Sequence, residues 1–271
     1  MLCIGSGKGG VYGLYFDDDG NVLDYKMLLK GTTRNCSGGE FSSRTLMQIF
    51  IIRRGSYSLD SLCVYKTLGT TPWNTFVSCE EYGRGQCWQI DPNPFGEHHS
   101  RPEQTNLGED GGNFEAVACD DRNPSQPIFF LTEDHKSGAL RRYTPPPTLP
   151  GTAAGWDALH LDGFNIEYLV FLDDERFTWS CDEQIGRFSQ EKYFPNVEGI
   201  IYSDGLLYFV SKVTYNLYVL DLDNGTYKTS TTSDYSLYDG EFKHSPDQVV
   251  QNEEGKYLYF TEDVSCSFIL W

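Results

Sequence analysis

The chain has 271 residues and a formal net charge of −18 at pH 7, which excludes a nucleic-acid-binding surface, because a strongly acidic protein repels a polyanion. Aromatic residues make up 15% of it, with 18 Tyr and 17 Phe, and that content fits an aromatic-rich β architecture better than a helical bundle. No run approaches the ~18 uninterrupted apolar residues that a membrane-spanning helix needs, so no transmembrane span is expected.

In chain order, Met1-Leu2-Cys3-Ile4-Gly5 reads as the middle of a strand, without the basic start and long apolar stretch of an export signal. Gly5-Ser6-Gly7-Lys8-Gly9 looks like a phosphate loop but lacks the hydroxyl residue after Lys8 and the helix that should follow, so a β-turn is expected. Val11 to Phe16, the turn Asp17-Asp18-Asp19-Gly20-Asn21 and Val22 to Tyr25 predict a hairpin. Residues 40–70 break this pattern. They carry Arg44, Arg53, Arg54 and Lys66 against Glu40 and Asp60 in an otherwise acidic chain. They read as a foreign insertion, with a lid loop as the alternative.

Beyond that segment, acidic doublets close β-like runs. Phe76 to Cys79 leads into Glu80-Glu81, Ile128 to Thr132 into Glu133-Asp134, and Tyr257 to Thr261 into Glu262-Asp263. Adjacent carboxylates repel one another and gain little from packing. Their repetition points to convergence on multivalent cations, which take hard oxygen ligands. Strand alternation places Cys79 opposite in sense to Glu80, hence toward the core. Gly199 to Tyr202, Asp204-Gly205 and Leu206 to Val210 predict a second hairpin, and Leu217 to Asp221 with Asp223-Asn224-Gly225 predicts a third. The acidic turns at Asp17 and Asp221 do not have EF-hand spacing. His98-His99 lies in a polar loop, and the eight cysteines are scattered with no Cys-x-x-Cys pair.

Cys79-Glu80, Glu133, Glu198 and Glu262 recur at intervals of about 50 to 65 residues, each holding roughly four strands, which is one propeller blade. The fold expected is all-β, a β-propeller with about four blades represented, forming a single partial domain over residues 1–271. In a propeller, equivalent strand ends meet around one axis. A β-sandwich is the alternative, and it would leave the doublets scattered.

Without residues 40–70, Arg34-Asn35-Cys36-Ser37-Gly38-Gly39 runs into Thr71-Pro72-Trp73-Asn74-Thr75-Phe76-Val77-Ser78-Cys79-Glu80-Glu81. That joined string resembles a signature of the PhoX family of alkaline phosphatases. Phe114-Glu115-Ala116-Val117-Ala118, Leu131-Thr132-Glu133-Asp134, Phe194-Pro195-Asn196-Val197-Glu198-Gly199, Ser245-Pro246-Asp247-Gln248-Val249-Val250 and Phe260-Thr261-Glu262-Asp263 follow in the family's order. The resemblance implies a six-bladed propeller with an axial cluster of ferric iron and calcium that hydrolyses phosphate monoesters. It implies Cys36 as a thiolate ligand of iron and Glu80, Glu115, Glu198, Asp247 and Glu262 as cluster carboxylates, with Glu133 and Asp134 on the calcium side. Asn196 stands in the substrate-binding place where the family carries an arginine, and Phe114 where it carries a histidine. The partner implied is a small phosphate ester, the state a monomer, and the location secreted or extracellular.

Each residue also has a plainer reading. Cys36 alone reads as a buried inert thiol, Glu80, Glu133 and Glu262 as solvated strand-end charges, and Asp247 as an Asx-turn residue. At the level of function, the alternatives are a calcium-binding propeller without turnover and a calcium-dependent lactonase or esterase.

Overall fold

The structure, a computed structural model, describes residues 2–6, 10–16, 22–29, 36–37, 69–81, 83–93, 95–98, 101–149, 151–231, 245–251, 255–262 and 269–270. Before residue 69 it describes backbone, with side chains only at Leu23 and Asp24. The expected insertion at 40–70 lies outside the described residues except at its end, Gly69-Thr70.

Among the described residues the strands form five antiparallel sheets, taken up in chain order. The first is β1 (Leu2–Ser6), β2 (Gly10–Phe16) and β3 (Val22–Leu29). Its Phe16↔Val22 and Tyr15↔Asp24 pairs form the hairpin read from the sequence. The second is β4 (Cys36–Ser37), β5 (Phe76–Glu80), β6 (Cys87–Ile90) and β7 (Glu103–Gln104). The third joins β8 (Phe114–Asp120), β9 (Ile128–Glu133), β10 (Arg141–Thr144), β11 (Asn165–Phe171) and β12 (Phe177–Ser180). The fourth is β13 (Val197–Ser203), β14 (Leu206–Ser211), β15 (Asn216–Asp221) and β16 (Thr226–Thr231). The fifth is β17 (Pro246–Gln251), β18 (Leu258–Glu262) and β19 (Ile269–Leu270).

Turn chemistry sets the register. Ser203 pairs with Leu206 across Asp204-Gly205, and both turn residues take positive φ, 48° and 86°, as a two-residue hairpin with the right-handed twist requires. At the next turn the Asp221 carboxylate accepts from the backbone N–H groups of Asp223 and Asn224 and from the Asn224 amide. Those bonds, led by the Asn224 side chain, hold its pKa below the ordinary value. This acidic loop is a capped turn.

Three apolar cores lie in series between consecutive sheets. Val77, Leu131 and Phe129 pack between the second and third sheets, Phe130, Leu169, Phe194 and Phe209 between the third and fourth, and Ile201, Val249 and Phe260 between the fourth and fifth. A two-layer sandwich would have one core, so that alternative does not describe the arrangement of the described residues. The first strands of the sheets are neighbours: β13 packs against both β8 and β17, and β8 packs against β4 and β5.

The α-helix among the described residues, α1 (Glu183–Tyr193), was not expected from the sequence. Asp182 caps it by accepting from the Gln184 N–H, Glu183 opens its first turn and Lys192 closes its last. Its buried residues are Gly186, Ser189 and Gln190. Gly186 leaves no room for a Cβ, which would lie 2.3 Å from that of Tyr168. Ser189 Oγ accepts from Phe171 N, and Gln190 Nε2 donates to the carbonyls of Glu133 and His135. A small, polar buried face gives no apolar periodicity to read. No helix among the described residues is long and apolar enough to cross a membrane.

Candidate metal centre

Three of the predicted carboxylates occupy equivalent places in three consecutive sheets. Glu115, Glu198 and Asp247 are each the second residue of a first strand, β8, β13 and β17. In each sheet the ladder to the next strand slips at that point, between Phe114 and Val117, between Val197 and Ile200, and between Pro246 and Val249. A bulge inserts an extra residue, bends the strand and re-aims a side chain away from strict alternation. Glu115 and Glu198 are deeply buried and Asp247 is nearly so, at 8% exposure. One oxygen from each lies within 4.8 Å of the others.

The approach of β13 to β17 depends on Gly199, the residue after Glu198. A Cβ there would lie 2.6 Å from Val249 N and 2.7 Å from Gln248 Cα, both backbone atoms that cannot swing aside.

Burial is the chief cause that pushes the Glu115 carboxyl well above its ordinary pKa of 4.5. The charges of Glu81, Asp247 and Asp134 add to that shift, and Lys212 opposes it. The Gln248 amide sits between two members of the group. Its Nε2 donates to Glu115 Oε1 by a short bond and to Asp247 Oδ1 at 3.2 Å, while its buried Oε1 has no hydrogen-bond partner among the described residues. Thr261 Oγ1 donates to Asp247 Oδ2 at 3.4 Å and accepts from Gln248 N at 3.0 Å.

A lysine stands at the edge of this group. Lys212 Nζ lies 2.5 Å from Glu198 Oε1 and 2.8 Å from Asp134 Oδ2. Asn196 Nδ2 donates to the other oxygen, Asp134 Oδ1, at 2.8 Å. Asn196 has φ 54°, a left-handed conformation that Asn tolerates better than most side chains. The backbone thus accounts locally for Asn at the place where the resemblance puts an arginine.

Glu80, Glu133 and Glu262 lie at the ends of the second strands. Glu80 pairs with Cys36, Glu133 with Phe114 and Glu262 with Pro246. In the fourth sheet the equivalent partner, opposite Val197, is Ser211. Glu80 is buried and its Oε2 accepts from Gln86 N at 3.0 Å. Glu262 is buried as well. Neither belongs to the converging group. Glu133 accepts from Ala139 N and from the Arg141 guanidinium, with Arg187 3.6 Å away, so two cations already face it. Cys36 lies directly opposite Glu80 in the ladder despite the long segment between them, and its side chain lies outside the described residues.

Two residues of the site were missed in the sequence. Gln248 was passed over as the neighbour of Asp247. Lys212 carried a usable signal: Ser211-Lys212 ends the run Phe209-Val210 where the other sheets carry Glu80-Glu81, Glu133-Asp134 and Glu262-Asp263.

Chemically, the buried carboxylates and the Gln248 carbonyl offer hard oxygen donors from several directions. That donor set fits calcium or ferric iron, and it leaves coordination places to be filled, since calcium takes six to eight oxygens.

No known family description matches this sequence, and no curated protein resembles it significantly. Among solved structures, it is similar to Pseudomonas fluorescens PhoX in complex with vanadate, a transition state analogue. The identity is 13% and the TM-score 0.49, over 74% of this chain and 55% of that one. It is also similar to a nidogen/laminin complex, with 13% identity and a TM-score of 0.43, over 99% of this chain and 87% of that one. A third similar structure is streptogramin B lyase, with 10% identity and a TM-score of 0.41, over the whole of this chain and 78% of that one. Similarity at this level assigns no residue and no activity. The chain spans 55% of the length of the PhoX chain.

Proposed function

We propose that this chain is part of a propeller-type, metal-dependent hydrolase of phosphate monoesters, with Glu115, Glu198 and Asp247 at the centre of its metal site. The observation that carries the reading is the meeting of three buried carboxylates from three equivalent bulges within 4.8 Å. Like charges gathered out of water are costly unless a cation or a proton accompanies them. The unpartnered Gln248 carbonyl supports a cation, because it adds an oxygen donor beside the same carboxylates. The ordered motifs that resemble PhoX phosphatases support the choice of ligand and substrate.

In this proposal Glu115, Glu198, Asp247 and Gln248 hold calcium, and Cys36 with Glu80, its neighbour in the ladder, holds iron. Glu262 serves at the edge of the cluster and Asp134 on the calcium side. Such ions polarise a phosphoryl oxygen and offset charge that builds up on it. The chain's own groups position the ester: Lys212 is the cation nearest the carboxylates, and Asn196 orients Asp134. Residues 40–70 form an insertion between adjacent strands β4 and β5, within one partial propeller domain. The test is metal analysis of the purified chain together with turnover of a chromogenic phosphate monoester. Bound calcium and iron, with turnover lost on chelation, are expected. Absence of both metals from chain refolded in their presence overturns the reading.

A second reading, a calcium-binding propeller without turnover, is favoured by Asn196, whose amide is engaged by Asp134 and offers no charged grip on phosphate. It predicts calcium binding with no hydrolysis of phosphate esters, and none gained in Asn196→Arg.

A further inference from the structure

Cys79 on β5 and Cys87 on β6 are direct cross-strand partners. They sit in the core between the second and third sheets, with relative exposures of 2% and 0%. The Cys87 thiol points at Cys79 Sγ across 3.1 Å. Among the described strands no other two cysteines face each other in a ladder.

The register makes this pair unusual. Glu80 N donates to Gln86 O, so the hydrogen-bonded position of the ladder falls at Glu80 and Gln86. The Cys87 carbonyl is turned to the other side, where Thr105 N and Thr105 Oγ1 donate to it. Cys79 and Cys87 therefore occupy the non-hydrogen-bonded position between β5 and β6. There Cα atoms approach to about 4.5 Å and side chains are closest, inside the range that a disulfide spans. Elsewhere in a hairpin the same two cysteines would be held farther apart.

We propose that Cys79 and Cys87 are a disulfide-forming pair, oxidised by exchange with a small-molecule disulfide such as oxidised glutathione. The Cys79 thiolate attacks one glutathione sulfur while the hairpin is still open, releasing one glutathione thiolate and leaving a mixed disulfide. The Cys87 thiolate then attacks the Cys79 sulfur and displaces the second glutathione. Two protein thiols are oxidised, one glutathione disulfide is reduced to two thiols, and the two protein protons pass to those thiolates or to water. The bond ties β5 to β6 just before Glu80, whose carboxylate is left untouched because alternation sends it to the other face. It also lies one residue from Gln86, whose N–H the Glu80 carboxylate accepts. Oxidation therefore stiffens the turn that orients Glu80. This inference is independent of any metal.

The experiment refolds the full chain in a glutathione redox buffer, quenches exchange with acid, alkylates remaining thiols in denaturant and maps the peptides by mass. The expected result is a peptide carrying Cys79 and Cys87, unalkylated and about 2 Da lighter than its dithiol. Its fraction should rise with the oxidised share of glutathione, and in Cys87→Ala the Cys79 thiol should become alkylated. Full alkylation of both cysteines under the most oxidising buffer overturns the proposal, as does Cys79 recovered in a bond to any other cysteine. The wild-type map decides the question by itself if the alanine variant does not fold.

Discussion

The third and fourth sheets solve one geometric problem with opposite charges. Both begin with a bulged strand whose second residue is a buried glutamate, Glu115 on β8 and Glu198 on β13. At the end of the second strand they diverge. The third sheet ends in Glu133-Asp134, and Glu133 is turned to Arg141, Arg187 and the Ala139 N–H. The fourth ends in Ser211-Lys212, where the Ser211 hydroxyl donates to the Pro195 carbonyl and Lys212 reaches Glu198 and Asp134. Identical acidic residue types therefore have different roles: Glu133 faces cations from β10 and α1, whereas Glu115 has the carboxylates of Glu81, Asp247 and Asp134 around it. Position relative to the bulge separates the two roles.

Substitution should divide these roles cleanly. Glu133→Gln is expected to lower stability by about 3 kcal/mol, because it leaves the buried Arg141 guanidinium short of an anion. It should leave calcium affinity nearly unchanged. Glu115→Gln should do the reverse, weakening calcium binding by a hundredfold or so, about 3 kcal/mol, while slightly stabilising the metal-free chain. Denaturant unfolding and calorimetric calcium titration of both variants decide this, and equal loss of stability in the two would erase the distinction.

Lys212 tests the fourth sheet directly. In metal-free protein, Lys212→Met should cost about 2 kcal/mol, less than a fully buried pair because Lys212 is partly exposed. Calcium should recover most of the loss, and unfolding midpoints with and without calcium measure it.

The pH response is a smaller effect with a definite sign. The folded Glu115 carboxyl titrates well above its ordinary value of 4.5, chiefly through burial. Between the unfolded and folded values the native state binds the extra proton, so stability falls as pH rises through that window. Metal-free protein should therefore be more stable at the acid end of the window than at its alkaline end with respect to this group. Glu115→Gln should flatten that part of the profile, as read by denaturant midpoints from about pH 4 to pH 8. A profile unchanged by the substitution would remove Glu115 as its source.

The smallest change lies at the helix packed on the third sheet. Asp182→Ala removes the cap of α1 and should cost about 1 kcal/mol. It should leave calcium binding intact, because α1 meets Glu133 and the backbone beside it through Gln190 and Arg187 and touches none of Glu115, Glu198 and Asp247 in the contacts described.

Much of the architecture was legible because its signals are local. Asp204-Gly205 requires positive φ at two successive positions, and alternating apolar runs beside it can only be strands of a hairpin. The position of Cys79 followed from strand polarity against Glu80, and the structure buries it. The spacing of acidic strand ends marked four repeats, against five sheets among the described residues. The helix α1 escaped because what it buries is Gly186, Ser189 and Gln190, residues chosen for close approach and hydrogen bonding instead of apolar contact. Lys212 escaped because the repeat was sought as acidic doublets, and charge reversal conceals an equivalent position.

The sequence by itself determined the hairpins around Asp204-Gly205 and Asp221, the runs that end at Glu80, Glu133 and Glu262, and so which acidic residues stand near strand ends, since these depend on alternation and on φ preferences within a few residues. It could not rank those acids. Only the tertiary structure decided that Glu115, Glu198 and Asp247 meet while Glu133 turns to Arg141. That outcome depends on the ladder slips at those three carboxylates and on the close approach at Gly199, where first strands from separate sheets come together. Charge environment is a property of residues distant in the chain, and a bulge two positions into a strand is enough to change which of them a carboxylate faces.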